Sequence, residues 1–378
     1  MRVLFIGPNL RAGGAERQWS ILLPGLRRRG HDARMIALDG GGAFYEPLLR
    51  AGVPVEVINM SHQADVGALL RCSLVRGFRP EAIVSRGVNG LYVGQALAAL
   101  RRSRHIFNDH RQVGLALSRR REAMVRLVAR RLELVVTVTA EQAGAWLDRG
   151  YPRERIVVVP NGVQTPQVSE ARTAIRQSLA IADSAILAVL VAGLRPEKRV
   201  TDFVQAIRQA RRAHPELIGL IAGDGPERSA VERAADGDAG VRLLGERDDV
   251  PRILKAADIF VLASDREAAP MAILEAMATG LPVISTAVGG IGEMVVHGET
   301  GMLVAARAPQ EMAAKLGELA TDGDLRRSLG RAGLARQRGR WDAERMIEGY
   351  ARILTLPRRE PGRGRLTRLT RTRARFPG

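Results

Sequence analysis

Cysteine is almost missing from this chain. Cys72 is the single one in 378 residues, so an internal disulfide is excluded. The six histidines show no metal-ligand spacing, so there is no Cys/His cluster for structural zinc, and the usage fits a reducing compartment. Lysine is also scarce, three against 55 arginines, which makes the placement of each lysine more informative than that of any single arginine. Aromatics amount to 4%, too few for a base-stacking platform, and no nucleic-acid module is evident. No apolar run reaches bilayer length; even AILAVLVAGL at 185–194 is too short. Residues 1–6 open as a short strand without a charged leader or a small-residue cleavage site. Export and membrane spanning are therefore not expected, and a cytoplasmic location is.

The length suits two domains with substantial cores. Net charge is +18 and uneven: +12 over residues 1–165, −1 over 166–355 and +7 over 356–378. Strand-like and helix-like segments alternate from the start: VLFIG (3–7), a Gly-rich loop, a helical run from Ala15 to Arg28, then ARMIAL (33–38). Further strands are expected at 53–58, 81–85, 105–108, 134–139 and 156–160. A second series covers 185–193, 217–223, 241–245, 258–264 and 281–286. Two parallel, doubly wound α/β sheets follow, with a linker at PNGVQTPQVSEA, 160–171. The expected units are residues 1–165 and 166–340, a terminal helix at 341–355 and a basic, disordered tail at 356–378.

The most informative segment is SDREAAPMAILEAMATGLPVIST (264–286), where seven residues separate Glu267 from Glu275. Pro270 suits the first turn of a helix running towards Gly280, with Glu267 ahead of it and Glu275 within it. Backbone N–H groups near Met271 and Ala272 at that helix start can hold phosphate, while Glu275 can accept hydrogen bonds from a diol. A sugar nucleotide carries both groups. On spacing alone, a capped amphipathic helix with two incidental acids fits equally well. The flanking strands at 258–264 and 281–286 place the pair beyond a strand C-terminus, where ligands bind in such sheets.

This stretch resembles the donor-binding signature of the family-4 glycosyltransferases, retaining enzymes built from two Rossmann-like domains facing a central cleft (the GT-B fold). The family usually has Glu-Gly where this chain has Glu267 and Ala268. The opening loop GPNLRAGGAER (7–17), with Gly13 and Gly14 before a helix, resembles the family's Gly-Gly loop over donor and acceptor. It is not the dinucleotide fingerprint, although Asp39 could mimic the ribose acid of a dehydrogenase. AGLRPEKRV (192–200) places Lys198 after a strand, where it can neutralise a leaving diphosphate or simply be a solvated loop lysine. Counted back from Lys198, Gly193 falls where the family has an arginine, and Arg195 stands two positions later. IAGDGPE (221–227) and the turn at Gly245 and Glu246 match further family blocks, the latter bordering the base, and GGIGEMVVHGETGMLV (289–304) completes the series, with Glu293 read as structural. His110, after a strand, matches a region where the family often places a histidine near the transferred sugar; a satisfied structural histidine is the other reading. The matches run from the opening loop to about residue 354.

The resemblance implies sugar transfer from a nucleotide-sugar donor to a saccharide or lipid-linked acceptor, in cell-surface polysaccharide or glycolipid assembly. Glu267, Lys198 and His110 would act at the reacting centre. Gly13, Gly14, Arg195, Gly245, Glu246, Met271, Ala272 and Glu275 would line the donor. The resemblance also implies a final helix that crosses back to the first domain. No Asp-x-Asp motif demands a metal, so metal-independent activity without a cofactor is expected. An epimerase on the same fold and a non-catalytic nucleotide-sugar or membrane-binding protein stay open. Arginines 101, 102, 104, 119, 120, 121, 126, 130 and 131, mixed with Leu117, Met124, Leu127 and Val128, read as a basic amphipathic surface suited to anionic lipid on the inner membrane face.

Overall fold

The computed structural model describes residues 1–11, 13–60, 76–110 and 119–357, with side chains omitted for 119–122. Cys72, Leu117, Arg119, Arg120, Arg121 and the tail from 358 onward, with the expectations attached to them, lie outside the described residues or side chains.

The first half alternates β1 (Arg2–Gly7), α1 (Gly14–Arg28), β2 (Asp32–Ala37), α2 (Tyr45–Arg50), β3 (Val55–Val57), β4 (Ala82–Arg86), α3 (Gly87–Arg101), β5 (Arg104–Asp109), α4 (Arg119–Ala129), β6 (Leu134–Thr137), α5 (Ala140–Asp148) and β7 (Ile156–Val158). The second half runs α6 (Arg172–Ser178), β8 (Ile186–Val191), α7 (Val200–Ala210), β9 (Leu217–Ala222), α8 (Arg228–Ala235), β10 (Val241–Leu243) and α9 (Val250–Ala256). It continues through β11 (Ile259–Leu262), α10 (Met271–Ala278), β12 (Val283–Thr286), α11 (Ile291–Met294), β13 (Gly301–Val304), α12 (Pro309–Thr321), α13 (Gly323–Arg340) and α14 (Ala343–Thr355). Strand β13, from the short run GMLV, was not among the expected strands. It pairs in parallel with β12 at the sheet edge.

All recorded strand pairs are parallel, and the orders are β3-β2-β1-β4-β5-β6-β7 and β10-β9-β8-β11-β12-β13. Near-continuous apolar runs such as ILAVLV in β8 produce this, because helices cover both faces of a parallel sheet. In each sheet the order reverses beside the first strand, between β1 and β4 and between β8 and β11. Those crevices are the ligand positions of the topology.

Two chain crossings join the halves, and they are bonded to each other. Val163 N–H donates to Trp341 O (2.9 Å), and Ala343 N–H donates to Val163 O (3.2 Å). Gly162 has no room for a side chain, since a Cβ there would lie 2.7 Å from Asp342 O and 2.8 Å from Ala343 Cα. Past this junction α14 returns to the first sheet, burying Met346, Ile347, Tyr350, Ile353 and Leu354 against Val3, Phe5, Trp19 and Leu22. Met346, Ile347, Ile353 and Leu354 each contribute about 1.5–3 kcal/mol through that burial. Gly25 in α1 lets the two helices approach, because a Cβ there would sit 2.3 Å from Ile347 Cδ1.

One residue of the supposed basic surface belongs elsewhere. Arg104 is 7% exposed, pairs with Glu133 (2.7 Å) and donates to the carbonyls of Ile353 (3.3 Å), Leu354 (2.7 Å) and Leu356 (2.8 Å). It satisfies the orphan carbonyls at the end of α14, where a cation also opposes the helix dipole.

Candidate functional site

The C-terminal ends of the two sheets face each other across a cleft. On the second-domain side, β8 and β11 release the chain into two loops that are tied together. Asp265 N–H donates to Glu197 O (2.8 Å), which brings Lys198 Nζ to 2.6 Å from Glu267 Oε1. Ser264 Oγ donates to that same oxygen (2.7 Å), and Thr286 Oγ1 fixes Ser264 O (2.6 Å). Glu267, 6% exposed, is thus a carboxylate matched by one cation and one hydroxyl. The close approach of another turn shapes its loop: a Cβ on Gly289 would lie 1.9 Å from Glu267 O, and one on Gly290 2.1 Å from Ala268 O. Gly289 also has φ +52, so glycine is required there twice over.

Pro270 precedes α10 as its cap rather than standing in its first turn, and the helix begins at Met271. Its first turn, with Ala272, carries no acidic residue. Glu275 lies one turn in, and Arg17 of α1 reaches across the cleft to it, Nε to Oε1 2.9 Å. Burial pushes the Glu275 carboxyl up, and Arg17 opposes that shift. Gly14 lies against the start of α10, where a Cβ on it would be 3.3 Å from Met271 Cγ. Gly13 is the extended cap of α1.

Arg195 is exposed and folds back past Gly193: a Cβ on Gly193 would lie 3.9 Å from Arg195 Nε. Gly245 (φ +72) turns the chain after β10 and accepts at its carbonyl from Gly223 N–H (2.7 Å), with Glu246 exposed beside it. Two Asp-x-Asp pairs do occur, Asp236/Asp238 and Asp322/Asp324, and both have structural partners. Asp238 accepts from Gly240 N–H and pairs with Arg211, while Asp322 caps α13 and Asp324 pairs with Arg327.

On the first-domain side, β4 ends in Arg86, which is buried, pairs with Glu16 of α1 (2.8 Å) and lies 4.4 Å from the Trp19 ring centre. Asn108 Oδ1 is the common acceptor for Trp19 Nε1 (3.1 Å) and His110 Nε2 (2.9 Å). An indole N–H can only donate, so the facing Asn108 atom is oxygen and His110 carries its proton on Nε2, leaving Nδ1 an acceptor. Burial, with Arg86 adding to it, pushes His110 down to about 3, so the ring is neutral near pH 7. Further along the cleft, Glu293 Oε1 accepts from Ala140 N–H (2.9 Å) and Glu141 N–H (3.2 Å), a second-domain acid capping a first-domain helix. Sequence reasoning missed Arg17, Glu16, Arg86, Ser264 and the cross-cleft role of Glu293. Of these, only the Gly-Gly of GGIGE and the acid following it offered a local signal.

Residues 12–167 match the family model described as Glycosyltransferase Family 4, and residues 171–336 that described as Glycosyl transferases group 1. The chain belongs to the family-4, group 1 glycosyltransferases. Over 295 residues this family member is 29% identical to the D-inositol 3-phosphate glycosyltransferase of Corynebacterium urealyticum, covering 72% of this chain and 68% of that one. Over 184 residues it is 30% identical to the N-acetyl-alpha-D-glucosaminyl L-malate synthase of Bacillus anthracis, a match spanning about half the length of each. Anabaena HepE in complex with UDP-glucose shares the fold, with TM-score 0.84 at 23% identity over 94% of this chain and 99% of that chain.

Proposed function

We propose that this family-4 glycosyltransferase moves a sugar, with retention of anomeric configuration, from a nucleotide-sugar donor to a saccharide or lipid-linked acceptor in cell-surface polysaccharide or glycolipid assembly. The observation that carries this reading is the Lys198–Glu267 pair beside the acid-free start of α10, at the reversal point of the second sheet. The names of the relatives and the UDP-glucose neighbour support the same class. In this reading, N–H groups of Met271 and Ala272, Lys198 and Arg195 bind the diphosphate, with Arg195 filling the space at Gly193. The same groups stabilise charge as the bond from the sugar to phosphate breaks. The acceptor oxygen bonds to the anomeric carbon on the face the phosphate leaves, and the acceptor proton passes to the departing phosphate oxygen. Glu267 orients the sugar hydroxyls, and Glu275 accepts from the ribose, with Arg17 neutralising it until then. Gly245 and Glu246 border the base, and Gly13 and Gly14 leave room for donor and acceptor. Neutral His110 serves as a hydrogen-bond partner through Nδ1 rather than as an acid.

The test is a thermal-shift panel of UDP-, GDP- and ADP-sugars, followed by product analysis with and without acceptor, in EDTA. A shift with one nucleotide class that Glu275→Ala loses, and product that appears only with acceptor in EDTA, is the expected result. Free sugar formed without acceptor would mean an epimerase, and no shift with any nucleotide sugar would remove the donor site. No helix among the described residues is long and apolar enough to cross a membrane. A peripheral contact with anionic lipid is supported by Leu100, Met124 and Leu127, exposed by 68%, 50% and 58% beside exposed Arg126, Arg130 and Arg131. Co-sedimentation with anionic but not neutral vesicles, lost in Leu127→Asp, tests it.

A further inference from the structure

Asn161 stands in the first of the two chain crossings, immediately before Gly162 and Val163, which are bonded to the second crossing at Trp341 and Ala343. Its side chain is 2% exposed, and its Nδ2 donates to Ala269 O at 2.9 Å. Ala269 lies between Glu267 and Pro270, so one hydrogen bond joins the interdomain pivot to the loop that carries Glu267 and starts α10. The other end of the amide, Oδ1, is buried with no partner among the described residues. An orphaned buried acceptor costs stability, and a small apolar residue would avoid that cost. The Nδ2 bond to Ala269 O is thus the hydrogen bond that the described residues give this side chain.

The loop has few other ties of this kind. Ser264, Glu267 and Asp265 are fixed to the body of the second domain, and the Gly289–Gly290 turn presses on Glu267 O and Ala268 O. At Ala269 the tie runs to the pivot instead. A rotation of one domain against the other therefore displaces Ala269 O unless Asn161 moves with it.

We propose that Asn161 is a positioning residue that couples domain rotation to the donor loop, setting the backbone between Glu267 and Met271 according to the state of the pivot. Its effect on turnover rests on the glycosyltransferase reading given above, whereas its effect on the loop does not. Hydrogen exchange of the unliganded full chain separates the two. Asn161→Ala should speed exchange in peptides covering Ser264–Ala272 by about tenfold, the size of one lost hydrogen bond, and leave β8, β9 and α12 unchanged. Asn161→Leu, close in volume but without the N–H donor, should do the same and guards against a cavity defect in the alanine variant. In transfer assays both should lower kcat by about tenfold while donor KM changes by less than about twofold. Unchanged loop exchange in both variants, or a rise spread evenly over the second sheet, overturns the proposal. If exchange rises in the loop while the wild type binds no nucleotide sugar, the coupling stands and the donor reading fails.

Discussion

Two helix starts face each other across the cleft, and they are opposite in charge character. Helix α1 follows β1 and α10 follows β11, each at the reversal point of its sheet, and Gly14 at one start lies against Met271 at the other. The backbone gives each start the equivalent of about half a positive charge. In α1 that charge is already answered, because Glu16 sits in the first turn, held by buried Arg86 under the Trp19 ring. In α10 the first turn has no acid, and the nearby Glu267 is matched by Lys198. The same strand-to-helix unit is thus tuned against an anion in one half and towards one in the other, by a single residue in its first turn. That difference favours α10 over α1 as the proposed diphosphate site.

The comparison can be broken in several ways. The largest effect is expected at the Lys198–Glu267 pair: Glu267→Gln should lower kcat by about 10², the size of a misplaced sugar at the reacting centre, with Tm nearly unchanged. Retained turnover would remove Glu267 from the reacting centre. Removing the acid of α1 should act on stability instead. Glu16→Ala leaves Arg86 buried without its counter-charge and should cost about 3 kcal/mol in urea denaturation, while the nucleotide thermal shift persists. Copying that acid into the other helix is the sharper test: Ala272→Asp should weaken nucleoside diphosphate binding by about fivefold, roughly 1 kcal/mol, measured by calorimetry. A smaller effect follows from the buried histidines. His105 and His110 are both pushed down to about 3 by burial. Between that value and 6.5 the unfolded chain binds more protons than the folded one, so stability present above pH 6.5 should decline as pH falls. Replacing His110 with Gln should flatten part of that decline in Tm measured from pH 7 to 4.

The parallel sheets were legible because their strands are near-continuous apolar runs between Gly- and Pro-rich turns, a signal confined to each segment. Glu267 and Glu275 were legible as a pair because both lie in one strand–loop–helix unit. Arg17 was not, since its partner Glu275 lies in the other half and α1 offers several equally basic positions. Glu293 was read as structural, and what could not be read was that it caps a helix of the opposite domain. Arg104 was misplaced for a physical reason: a lone arginine in a basic stretch looks solvated, and only the return of α14 supplies carbonyls for it. Strand β13 was overlooked because GMLV follows directly on the turn-rich HGETG and reads with it as one loop block; shortness is not the reason, since the three-residue edge strands β3, β7 and β10 were expected.

The Arg104 clasp also sets the path of the chain as a whole. It fastens the last turn of α14 to Arg104 at the start of β5, so a segment that follows the second domain in the sequence finishes its course on the first. A chain shortened by that one helix would therefore lose part of the first domain's core rather than of the second's.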